Sequence, residues 1–420
     1  MKNSESNYGW KPIAIIGVLF FIMGFITWLN ATLIPYLKLA CELSNFESFF
    51  VTFAFYISYF VMALPSSWVL NKSGFKNGMS LGLIVMGLGA LMFIPAAYSR
   101  TYELFLFGLF LLGTGLAVLQ TASNPYVTIL GPIESAAKRI SIMGTANKIA
   151  GIISPIVLGA FVLKGTDSLE QRLSTLSLSE KTAELNLLAE RVINPYVFMA
   201  VILFILALMI RFSNLPIVNA ENEEMSEAQG KKSLVQYTYL WFGVLAIFVY
   251  VGVEVIAVDT LISYGKWWGF EMSQAKFFSS ITMAAMIVGY FTGIVAIPKY
   301  IKQEKALALF SILGILFSIL AIFTTGFTSV LFIALLGFAN SIMWPAIWPL
   351  AIDGLGKYTK IGSALLVMAI AGGALIPLLY GYLVDIVDAR IAYSILIPGY
   401  FYLLFFAIKG HKIGKIKISQ

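Results

Sequence analysis

Two carboxylates five residues apart, Glu254 and Asp259, stand inside the apolar stretch YVGVEVIAVDTLISYGK, and Lys148 stands inside another, GTANKIAGIISPIVLG. A charge at the centre of a membrane-crossing helix costs about 2.5–3.5 kcal/mol on insertion scales, so such groups are normally retained for a reason. A carboxylate there can bind a proton, a sodium ion or the hydroxyls of a polar solute. It can equally be half of a structural pair with a lysine or a backbone group. Lys148 lies roughly 15 Å inside the start of its run, at 1.5 Å per residue, further than snorkelling of its stem recovers. It can face a carboxylate across a cavity, take the place of a bound cation, or form a fixed ion pair.

Uncharged polar groups gather in the first half of the chain: Asn30, Gln120, Asn124 and Asn147. Residues 119–132 read LQTASNPYVTILGP, in which Gln120 and Asn124 are i,i+4 neighbours on one helix face. An amide donates and accepts at once, which suits sugar hydroxyls. The alternative is interhelical hydrogen bonding, worth about 0.6 kcal/mol on average in membranes. Four amides on three apolar runs point instead to shared contact with a polar ligand. Trp344, in MWPAIWP with Trp348, adds an indole that can stack on a sugar's C–H face and donate its N–H. Tyr56, Tyr59 and Phe338 are weaker aromatic candidates.

The elements that must position these groups are membrane helices. The 420 residues are 59% hydrophobic and 12% charged, with mean hydropathy +0.88, whereas soluble domains run near 25% charged. Runs of roughly 20 residues or more, long enough to cross a bilayer, fall at 11–38, 46–70, 76–97, 102–130, 139–163, 194–211, 237–263, 274–297, 305–325, 328–352, 360–384 and 391–409. The polar first ten residues and the length of the first run argue against a cleavable signal peptide. The net charge of +7 sits in short loops, so it reads as a topology signal rather than a nucleic-acid surface. With both termini cytoplasmic, inside segments hold 18 Lys and Arg and outside segments hold nine, which supports that orientation. Cys41 and His411 are the only residues of their kinds. That excludes an internal disulfide, a cysteine metal cluster, an intramembrane histidine relay and histidine-based catalysis.

Two connections are long. Residues 212–236 include ENEEMSEAQGKK and read as a flexible cytoplasmic linker between six-span halves, 1–211 and 237–420. In the extracytoplasmic loop 164–193, Leu185, Leu188 and Val192 recur at helical spacing, which predicts a short amphipathic helix on the membrane surface.

The halves are related. A shift of 228 residues lays ATLIPYLK (31–38) on DTLISYGK (259–266) and Phe49-Phe50 on Phe277-Phe278. Lys138, Gly151, Pro155 and Gly159 share their spacings with Lys360, Gly373, Pro377 and Gly381. Two parallel six-helix repeats are the design of the major facilitators. The fold predicted is all-α, with twelve spans in two pseudo-symmetric bundles around a midplane cavity. Positions polar in only one half are the candidates for chemistry. Glu254 and Asp259 correspond to Ile26 and Ala31, and Asn147-Lys148 to Ala369-Ile370.

GLAVLQTASNPYVTILGP, AAKRISIMGTANKIAG, YVGVEV and TKIGSALLVMAIAGGALIP resemble the fucose permease and bacterial glucose/galactose transporter family, with likeness over nearly the whole chain. The resemblance implies a monomeric sugar symporter of the inner membrane, moving hexoses or related monosaccharides, with no cofactor and no nucleic-acid partner. It implies that Asn30, Asn124 and Asn147 occupy substrate-site positions. Two departures matter. The fucose permease pattern has an aspartate where this chain has Ala31 and a glutamate where it has Gln120, and in that branch those acids serve coupling and sugar contact. Glu254 is similar to an acid in the glucose/galactose branch, some of whose animal relatives use sodium. Coupling to H+ or Na+ is therefore expected from the second half, through Glu254, Asp259 and Lys148, with Gln120 and Trp344 left to the sugar. The competing readings are an uncoupled facilitator, a multidrug or lipid exporter of the same fold, a sensor, and a membrane enzyme. The amide stripe argues against an exporter, and no nucleophile–base or metal set supports an enzyme.

Overall fold

The apolar runs become twelve helical spans in a computed structural model of the chain. The spans, 1 to 12 in order, are Ala14–Ala40, Asn45–Leu70, Lys72–Ser99, Tyr102–Ser123, Ile142–Val162, Leu178–Phe212, Thr238–Asp259, Met272–Ala296, Gln303–Phe323, Gly326–Ile352, Ile361–Ile386 and Ala389–Lys412. The structure describes residues 10–129, 136–213, 233–297, 299–355 and 358–415, and these contain helix and no strand. Most of the linker expected at 212–236 lies outside them.

Helix is what lipid dictates, because only a helix or a closed barrel satisfies every backbone polar group internally. The outward side chains are correspondingly apolar, Leu64, Phe161, Phe198 and Phe323 among them. Spans 1–6 pack chiefly among themselves, as do spans 7–12, and the two sets meet where span 5 lies on span 8 and span 2 on span 11. The sequence repeat has a visible counterpart. Span 1 is two helices, Trp10–Thr27 and Asn30–Ala40, and span 7 continues past its break at Thr260 into Leu261–Trp267. A one-turn helix leads into each following span, at Asn45–Ser48 and at Met272–Ala275.

Both breaks have local causes. Thr27 Oγ1 donates to the Met23 carbonyl (2.8 Å), while Thr260 Oγ1 donates to Ile256 O (2.7 Å) and bonds the Tyr393 hydroxyl (2.6 Å). Hydroxyls that bond back into their own helix compete with its ladder and bend it. Each break leaves a polar side chain beside it at depth, Asn30 in one half and Asp259 in the other.

The loop 164–193 differs from the expected surface helix. It forms two helices, Thr166–Leu173 and Leu178–Glu190, and the second runs on almost directly into the helix Ile193–Phe212, with which it makes up the sixth span. Ser177 and Glu180 close a capping box at its start. Its apolar face covers protein rather than lipid: Leu185, Leu188 and Val192 are buried. The Tyr36 hydroxyl pins it to span 1 by bonds to Leu188 O (2.8 Å) and Ala189 O (2.9 Å).

With twelve spans among the described residues, the start of the first span and the end of the last fall at one end. The polar bonds between the halves that involve described residues gather at mid-depth and at the opposite end. There Asp385 accepts from Asn45 N (3.2 Å), Asn45 Nδ2 (2.6 Å) and Phe46 N (2.7 Å). Asp167 accepts from Lys266 Nζ (2.8 Å) and Met272 N (2.9 Å), and Lys266 also meets Glu170 (2.8 Å). Each half therefore sends a carboxylate to the main chain that opens the second span of the other.

Candidate substrate and coupling site

Lys148 and Glu254 find each other across the seam. Lys148 Nζ lies 3.0 Å from Glu254 Oε1, and each side chain is only 9% exposed. Glu254 sits 16 residues into the helix Thr238–Asp259 and Lys148 12 residues into Ala136–Val162, so both lie near the middle of their spans, roughly 18–24 Å from the helix starts. Desolvating two ions is expensive and their attraction offsets the cost only with good geometry and further partners. Part of that support comes from Trp28, whose ring centroid is 4.4 Å from Lys148 Nζ. The Trp28 indole N–H also donates to Asn147 Oδ1 (3.4 Å), and Asn147 Nδ2 donates to the Phe20 carbonyl (3.3 Å). Spans 1 and 5 come this close because residue 24 is glycine: a Cβ there would collide with the Asn147 main chain.

Asp259 is the opposite case. It is fully buried, and neither carboxyl oxygen has a hydrogen-bond partner among the described residues. Five residues set it about 140° around the helix from Glu254, which is why the two carboxylates on one helix have different neighbours. The sequence left open whether Asp259 reaches the outer interface, and its burial rules that out. Tyr56, from span 2, lies within electrostatic reach of both carboxylates and stacks on Tyr59 (centroids 6.3 Å apart). Tyr59 in turn accepts from Gln120 Nε2 (3.2 Å). A polar band thus runs from Gln120 through two tyrosines to the acids of the other half.

The remaining sequence candidates separate. Asn30 is 1% exposed, and neither of its side-chain amide atoms has a hydrogen-bond partner among the described residues. Asn124 lies on the helix Tyr102–Ile129, but its side chain is outside the described ones. Trp344 stacks on Trp348 (5.2 Å) and stands 6.3 Å from the Tyr250 ring. Tyr250, Tyr290 and Tyr400 lie close enough to Glu254 to feel its charge. Tyr400 also donates to Asn340 Oδ1 (2.9 Å), and Asn340 Nδ2 has no partner among the described residues. Sequence reasoning passed over Trp28, Tyr250, Tyr290, Asn340 and Tyr400. Asn340 was within its reach, being an amide in an apolar run like the four it chose. The aromatic residues carried no signal beyond their type, since aromatic side chains in such runs mostly pack.

The fold agrees with that of known proteins to which the chain is similar. The family model of the Major Facilitator Superfamily matches residues 16–368. The chain belongs to the major facilitator superfamily. Its relatives include the glucose/galactose transporter of Brucella abortus biovar 1 (strain 9-941), 34% identical over 413 residues, or 98% of this chain and 96% of that one. The L-fucose-proton symporter of Escherichia coli (strain K12) is 31% identical over 382 residues, 89% and 87% of the two chains. A crystal structure of the E. coli fucose:proton symporter superimposes with a TM-score of 0.70 at 29% identity, covering 94% of this chain and 97% of that one. As a superfamily member with these relatives, the chain is a multi-pass membrane transporter and not an enzyme.

Proposed function

We propose that the chain carries a monosaccharide of the glucose/galactose type inward together with a proton, by alternating access between units 1–211 and 237–420 joined by the linker 212–236. The observation that carries this reading is Asp259, a carboxyl wholly buried at depth without a hydrogen-bond partner among the described residues. Holding a charge in such a place is costly, so the group suits loading and unloading a proton. Glu254 is already compensated by Lys148 and suits holding the halves in register. Sodium has less in its favour, because the named coupling ion of the fucose relatives is the proton.

Asn30, Gln120, Asn147 and Asn124 from the first half and Trp344 from the second form the sugar subsite in this reading. Asn30 supports it with two amide atoms available for hydroxyls. The Lys and Arg bias sets the termini inside, so the end held by Asp385 and Asp167 is the outer one. A neutral sugar carried with one proton brings in one charge, worth about 2.3 kcal/mol per 100 mV, or roughly 50-fold accumulation at that potential.

Reconstituted uptake across a panel of hexoses, with proton and sodium gradients imposed separately, tests the reading. Accumulation driven by the proton gradient is expected; accumulation driven by sodium alone would overturn proton coupling. One observation favours a second reading, an uncoupled facilitator: uncharged Ala31 and Gln120 stand where the fucose branch carries its acids. Equal uptake with and without a gradient would establish it.

A further inference from the structure

One side chain touches both parts of the proposed site. We propose that Trp28 is the positioning residue that ties the sugar-binding amide of Asn147 to the Lys148–Glu254 pair. This rests on the reading of Asn147 as a sugar ligand. Trp28 sits at the break in span 1, between the helices Trp10–Thr27 and Asn30–Ala40; its own N–H keeps the helical bond to the Gly24 carbonyl (3.1 Å), and the ladder becomes irregular just after it. Its indole serves two consecutive residues of span 5 with two different surfaces. The edge N–H donates to Asn147 Oδ1 at 3.4 Å, and the face receives Lys148 Nζ at 4.4 Å.

The ring is also wedged at the seam. Val258 and Met283 of the second half pack against it, and a Cβ on Gly151 would press on the indole. Asn147 and Lys148, being adjacent in sequence, would otherwise point to different sides of their helix and act independently. The indole makes them one unit. At 3.4 Å the bond to Asn147 is longer than the usual 2.9–3.0 Å, so it yields readily to a sugar hydroxyl competing for the same oxygen. Release of the N–H lets the ring turn, which changes the face offered to Lys148 and hence the hold of Lys148 on Glu254. Sugar occupancy is thereby transmitted to the charged contact between the halves.

Two substitutions separate the two surfaces: Trp28→Phe keeps an aromatic face and removes the N–H, whereas Trp28→Leu removes both. In proteoliposomes holding the full chain, Trp28→Phe is expected to lower the half-saturating concentration for D-galactose counterflow about 3- to 10-fold, the scale of one hydrogen bond the sugar no longer has to displace. In an Asn147→Ala background the same change adds almost nothing. Melting temperatures in detergent supply a readout that needs no sugar. Trp28→Phe is non-additive with Asn147→Ala, and Trp28→Leu, but not Trp28→Phe, is non-additive with Lys148→Met. Additivity in both cycles would overturn the proposal and leave Trp28 as packing. Should the unsubstituted chain exchange no hexose, the sugar reading fails, and with it the sugar half of the inference. The melting cycles then decide whether Trp28 links Asn147 to Lys148.

Discussion

The seam between the halves is built differently at its centre and at the end away from the termini. At mid-depth the charged contact is side chain to side chain, Lys148 on Glu254, with both partners almost wholly buried. At the far end, carboxylates reach the main chain, Asp385 taking the amides of Asn45 and Phe46 and Asp167 that of Met272. Asp385 is exposed and Asp167 half-buried. Breaking a desolvated pair strands a charge, whereas water replaces much of what an exposed carboxylate loses. In the alternating-access cycle proposed above, the centre is the pivot that stays joined and the far end the gate that opens.

The largest effect expected from this contrast is at the centre. Glu254→Leu leaves Lys148 buried and unpaired, a loss of about 3–5 kcal/mol, measurable as a lower melting temperature in detergent. Adding Lys148→Met should restore most of it, because an apolar pair of similar volume is often neutral. Next comes Asp259→Asn. It should melt like the unsubstituted protein yet lose gradient-driven accumulation, with hexose exchange retained. If it destabilises as much as Glu254→Leu, the distinction between the two carboxylates collapses.

The gate has a natural reporter. Burial pushes the Cys41 thiol, just beyond the first span, up to about 11, so little reactive thiolate exists at pH 8. Asp385→Asn or Asp167→Asn should favour opening and return the thiol toward its ordinary value near 8.5. Maleimide labelling at pH 8 then quickens by about one to two powers of ten. An unchanged rate would show that these carboxylates do not hold the end closed. The smallest effect is that of salt. Shortening the screening length from about 30 Å at 0.01 M to 3 Å at 1 M should speed labelling about two-fold and leave the melting of the central pair unmoved.

Much of this could be read from the chain. The spans were legible because lipid imposes one backbone solution, and the three intramembrane charges because an ion in an apolar run is conspicuous. Their partnership was not legible. Lys148 and Glu254 are 106 residues apart, and the sequence offers Asp259 as an equally good mate. Periodicity announced the apolar face of Leu185, Leu188 and Val192, but a periodic face does not say whether lipid or protein covers it. Trp28 was hidden by its neighbours, since a tryptophan beside an apolar turn reads as packing until its two surfaces are located. The far-end contacts to the amides of Asn45, Phe46 and Met272 were invisible for a further reason: half of each is main chain, and nearly every residue has that.

That last feature bears on how the transporter can be repaired once damaged. The central pair is encoded on both sides, so a lesion in one partner can be corrected in the other, and suppressors of Lys148 defects should map to Glu254. For its main-chain contacts Asp385 has no such correspondent, because no substitution at Asn45 or Phe46 short of proline, which only removes the N–H, changes the amide it grips. Damage there is reversible only in place.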